Sequence, residues 1–106
     1  MAVMTRDYVA DPADVRAKVE SIVAECLGAY GSFMELTEYE CGGVKVILWT
    51  GTCVYFGGRV ASLSVQLVGN ESGVHLTISS TPGVGAASVE TKVLKKFAEK
   101  LEAAGL

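Results

Sequence analysis

The sequence predicts an α+β fold in the order β-α-β-β-β-β-α: an antiparallel four- or five-stranded sheet with two helices packed on one face. Three observations carry that reading. Apolar residues recur at helical spacing near the start of the chain and again at its end. Between those stretches lie runs that alternate apolar with polar residues or are rich in β-branched ones. Glycine pairs separate the runs.

The segment Val3 to Val9 can form a short strand, and the pattern leaves open whether it joins the sheet edge. Asp11-Pro12-Ala13-Asp14 reads as a helix start. Asp11 can accept hydrogen bonds from free N–H groups, Pro12 suits the first helical position, and Asp14 adds charge near the positive helix end. Val15, Val19, Ile22, Val23, Cys26, Leu27 and Tyr30 then form one helical stripe, with Gly28 or Gly31 available to end it. Phe33 to Glu40 reads as a strand and Gly42-Gly43 as a turn. Val44 to Phe56 is a long strand, with Gly51 marking a bulge or bend. Gly57-Gly58, between Phe56 and Arg59, reads as a two-residue hairpin turn.

Ala61, Leu63, Val65 and Leu67 alternate with Ser62, Ser64 and Gln66, and Val74, Leu76 and Ile78 alternate with His75, Thr77 and Ser79. These two strands should pair across the turn Gly69 to Gly73, with their polar alternates on a solvated face. After the loop Thr81 to Gly85, Ser88 is a suitable N-cap for a final helix. Val89, Val93, Leu94, Phe97, Leu101 and Ala104 lie on one side of that helix.

The 106 residues suit one domain spanning 1–106. A net charge of −3 speaks against a nucleic-acid partner and against adsorption to anionic membrane. The longest apolar run, Val44 to Trp49 with one lysine, is strand-sized, and Met1 to Asp7 has no signal-peptide pattern. Three cysteines without a CxxC are expected to be free thiols in a reducing cytoplasm.

The best candidate for a ligand site is the loop before the last helix. Gly83 and Gly85 let backbone N–H groups approach a ligand, and Ser88 opens a helix N-terminus that favours anions. Glu90, one turn in, falls at the apolar-face angle of the helix. The plainer reading is a tight strand-to-helix turn followed by a first-turn glutamate. His75, the sole histidine, falls on the solvated face among Thr77 and Ser79 without a nucleophile at catalytic spacing. Cys41, Cys53 and His75 match no metal-ligand spacing, so no metal and no cofactor is expected.

The long strand raises a second possibility. If Val44, Val46 and Leu48 face the helices, Ile47 and Trp49 point to the other, otherwise polar face. An apolar patch there asks for a partner. The competing reading is a central strand buried on both faces.

The chain resembles a family of short bacterial proteins of unknown function. The likeness rests on Gly42-Gly43-Val44-x-Val46, Tyr55 before a glycine turn, Arg59-x-Ala61-Ser62-Leu63-x-Val65, and the Gly83-x-Gly85 loop. It implies a single domain and supplies no activity, cofactor or catalytic residue. The element order also resembles a shortened helix-grip ligand-binding fold. The expected function is a non-enzymatic binding module, a homo-oligomer (dimer) joined through the open sheet face with Ile47 and Trp49 as anchors. The alternative is a small anionic metabolite held at Gly83, Gly85, Ser88 and Glu90.

Overall fold

Among the described residues, five strands form one antiparallel sheet, and two helices cover one of its faces. The computed structural model describes the backbone of residues 2–27, 32–55, 59–82 and 89–106, and side chains within those limits for 2–25, 36–52, 61–81 and 92–106. The elements are β1 (Ala2–Tyr8), α1 (Pro12–Leu27), β2 (Ser32–Cys41), β3 (Val44–Tyr55), β4 (Arg59–Asn70), β5 (Gly73–Pro82) and α2 (Val89–Ala103). This is the expected order. The sheet runs β1-β5-β4-β3-β2, so the first segment joins the edge beside β5, and α1 carries the chain across to the opposite edge.

Local chemistry explains most boundaries. The Asp11 carbonyl accepts from the N–H groups of Asp14 at 3.1 Å and Val15 at 3.2 Å, so Asp11 is the N-cap and Pro12 the first helical residue. Gly42 and Gly43 have φ of 59° and 79°, the left-handed pair that a two-residue hairpin needs to match strand twist. Between β4 and β5, Asn70 Oδ1 accepts from the N–H groups of Ser72 at 2.8 Å and Gly73 at 3.2 Å. After α2, the Leu106 N–H reaches the Leu101 carbonyl at 2.9 Å and the Gly105 N–H that of Glu102 at 3.0 Å. This pair of hydrogen bonds closes the helix, and Leu106 packs back on the core.

The core lies between sheet and helices. Val15, Val19, Ile22 and Val23 of α1 and Val93, Leu94, Phe97 and Leu101 of α2 meet the inward alternates of β3, β4 and β5. The one buried polar side chain among the described residues, Ser80, donates to the Ser62 carbonyl at 2.7 Å. The bulge expected at Gly51 falls instead on the facing strand, where Phe33 pairs with Gly51 and Glu35 with Thr50, leaving Met34 as the extra residue.

The expected facing of the long strand is corrected. Ile47 and Trp49 are 1% and 2% exposed and belong to the core under the helices, so neither can anchor a contact on the open face. The cause is a one-residue difference in register. A turn at Gly57-Gly58 would set Phe56 opposite Arg59 and put Leu48 in line with Leu67. The observed partner of Arg59 is Tyr55, which sets Trp49 opposite Val65 and Ile47 opposite Leu67. Directly paired residues share a face, and a slip of one residue exchanges the two faces of a strand. The connecting residues 56–58 lie outside the described ones.

Candidate functional site on the open sheet face

The face left bare by the helices is built from the other set of alternates. Register places Asp7, His75, Val68, Val46 and Tyr39 in one row across all five strands. The next row is Thr5, Thr77, Gln66, Leu48 and Thr37, and the one after it Val3, Ser79, Ser64, Thr50 and Glu35. Polar alternates therefore do line this face, as their pattern predicts. They do not cover it evenly. Val44, Val46, Leu48 and Val68 are half-buried neighbours, and Tyr39 beside them is 55% exposed. These five residues form an apolar patch over β2, β3 and β4, and Thr5, Thr37, Thr50, Ser64, Thr77 and Ser79 supply most of the rows beyond it.

At the β1 edge the leading row ends in a polar pair. His75 Nδ1 lies 2.6 Å from Asp7 Oδ1. A carboxylate only accepts, so Nδ1–H donates, and this fixes the ring orientation. Both side chains are exposed, at 47% for His75 and 80% for Asp7. They border a shallow depression of about 400 Å³ shared with Val68, Asn70 and Ser72.

The opposite edge carries a different charge group, on the helix side of the sheet. Arg16 of α1 donates to both oxygens of Glu38, Nη1 at 2.7 Å and Nη2 at 2.9 Å. Lys45 Nζ reaches Glu38 at 3.0 Å, and Arg16 Nε lies 3.5 Å from Glu20. The Arg16 hydrogen bonds, helped by Lys45, hold the Glu38 carboxyl below the usual range. The same bonds push the Arg16 guanidinium up. Beside this network, Asp11, Arg16, Glu40, Lys45 and Glu71 border a cleft of about 490 Å³ floored by Pro12 and Ile47. Both its cations are engaged by Glu38. Among the described residues, then, the network ties α1 to edge strand β2 and leaves the cleft no free cation aimed at a ligand.

Tyr8 is a further departure from plain packing. Its hydroxyl is buried with no hydrogen-bond partner among the described residues. Burial pushes the phenol up, against the opposing charge of Arg6.

The sequence-derived candidates fare unequally. Gly83, Gly85 and Ser88 lie outside the described residues. Glu90 falls in the first turn of α2, and its side chain is likewise outside them. Cys41 is a free, exposed thiol at the end of β2. Among the described residues no group of three or more His, Cys, Asp or Glu side chains could hold a metal ion. No described helix is long and apolar enough to cross a membrane. Sequence reasoning missed Tyr39, Val68 and Asp7. The alternation in β4 already assigns Val68 to the outward set with Gln66, and this was the available signal. The pairing of Asp7 with His75 is set by a strand contact between residues 68 apart, for which the sequence holds no local cue.

No protein-family model and no curated protein matches the chain. Among solved structures, the chain is similar to the crystal structure of TTHA0849 from Thermus thermophilus, at 15% identity and a TM-score of 0.30 over 99% of each chain. A likeness of that size carries no argument about function.

Proposed function

We infer that this protein is a non-enzymatic interaction module that associates with a second copy of itself through the open face of its sheet. One observation carries the reading. The apolar patch of Tyr39, Val44, Val46, Leu48 and Val68 is uncovered by either helix and is bordered by Thr37, Thr50, Ser64 and Gln66, and by His75 on β5.

Area and charge support a second copy as the occupant. Five strands at about 4.8 Å span about 24 Å, and eight residues at about 3.4 Å span about 27 Å. The face thus offers roughly 600 Å² per copy, and two copies reach the roughly 1,200 Å² at which specific interfaces begin. Among the described side chains of the face, Asp7 is the only carboxylate, and it stands on edge strand β1, outside the apolar patch. A two-fold contact uses one patch twice and needs no second surface. Two sheets packed in this way form a sandwich with their inner faces about 10 Å apart. The free Cys41 thiol at the rim of this face is compatible with a reducing cytoplasm as its setting.

Sedimentation equilibrium of the wild type and of Val46→Lys tests the reading. The wild type is expected at the dimer mass and the variant, its circular dichroism unchanged, at the monomer mass. A wild-type monomer, or a variant that still dimerises, refutes it.

A further inference from the structure

The Asp7–His75 pair occupies the same face and the same row as the apolar patch, one strand away from Val68. We propose that protonation of His75 strengthens association of the open face, so that the contact is tighter in mild acid than in mild base. The proposal rests on the face-to-face reading above and adds its regulation.

Charge on the row decides the sign. With a neutral imidazole, the row ends in an uncompensated Asp7 carboxylate. Bringing two copies together places two such carboxylates at the rim of a contact that loses water, where each keeps its charge but gives up part of its hydration. A proton on the imidazole, 2.6 Å from Asp7 Oδ1, cancels that charge within each copy. The charge then meets its partner inside the same chain before the faces meet.

The described surroundings hold no group that substitutes for His75. Its neighbours on β4, Val68 and Gln66, are uncharged, as are Thr77 on its own strand and Thr5 on β1. Asn70 and Ser72 share its depression. The Tyr8 phenol, already raised, stays protonated in the relevant range. Arg6 is on the opposite side of β1, its Nη1 donating to the Thr5 carbonyl at 2.8 Å. Glu71 is exposed in the turn between β4 and β5, outside the rows of the face. Glu35 holds a position on this face two rows away, at the far edge.

Sedimentation equilibrium at constant ionic strength, at about pH 5.5 and about pH 8, spans the interval in which histidine changes charge. Repulsion between exposed rim carboxylates is modest, so the dimer Kd is expected to be about threefold lower at the acidic pH. Asp7→Asn should reverse the trend, because the imidazolium is then the uncompensated charge. His75→Gln should abolish it. If the wild type dimerises and Val46→Lys breaks the dimer, but Kd is equal at both pH values, the inference fails and the face reading stands. Acid strengthening that survives in His75→Gln overturns the inference in the same way. A wild type monomeric at both pH values, or an undisturbed Val46→Lys dimer, overturns both.

Discussion

Replacing Trp49 by Ala and, separately, Leu48 by Thr sets two adjacent residues of β3 against each other. Trp49 is 2% exposed, so truncation to Ala takes nearly all of the indole out of the core. Roughly 170 Å² of buried apolar surface at about 25 cal/mol per Å² is about 4 kcal/mol, within the range of about 3–5 kcal/mol for such truncations. Leu48 lies on the open face and is only partly covered by its sheet neighbours. Its replacement by a β-branched polar residue should cost about 1 kcal/mol. Urea denaturation followed by circular dichroism, at a concentration low enough for the monomer, measures both. The wild type offers an independent check, since its one tryptophan should be shielded from iodide quenching until the chain unfolds. If Leu48→Thr costs as much as Trp49→Ala, or if iodide quenches the native protein freely, the register of β3 on β4 is wrong. The composition of the open face would be wrong with it.

Other outcomes follow from the edges of the sheet. Because the Glu38 carboxyl titrates below its ordinary range, its pairing stabilises the fold above the unfolded-state pKa, and the contribution fades as pH falls through the depressed value. Glu38→Gln should therefore lower Tm at neutral pH, and the two melting curves should converge in strong acid; a gap that persists there contradicts the assignment. Gly73→Ala should destabilise by about 1–3 kcal/mol, because its φ is +155° and a Cβ would stand 2.5 Å from the Tyr8 carbonyl oxygen. Hydrogen exchange should then quicken in β1 before it does in β3 and β4, and uniform quickening would show that the clash is absorbed elsewhere.

Much of the fold is legible in the sequence because local and global signals agree. Asp11-Pro12 marks a helix start with its own chemistry, Gly42-Gly43 supplies the two positive φ values of its hairpin, and the alternation in β4 and β5 names their core faces without ambiguity. The facing of β3 is not legible from β3 itself, since both of its alternating sets are largely apolar from Val44 to Trp49. Register has to decide it, and register depends on a connection of three residues in place of a two-residue turn. In the observed register Trp49 stands opposite Val65, a core alternate of β4. The sequence points to an apolar patch on the open face but to the wrong residues for it, for that same reason. The weak alternation of β1 leaves its place at the sheet edge open, and its pairing with β5 comes from contacts far apart in sequence.

The central claim, association through the open face, is tested most directly by a dilution series of the isotope-labelled protein followed by amide chemical shifts. The account predicts concentration-dependent shifts concentrated at Tyr39, Val46, Leu48 and Val68, fading toward the exposed sides of α1 and α2. Shifts confined to the helices or to the outer edge of β2, or no shifts across the range of concentrations, would contradict it.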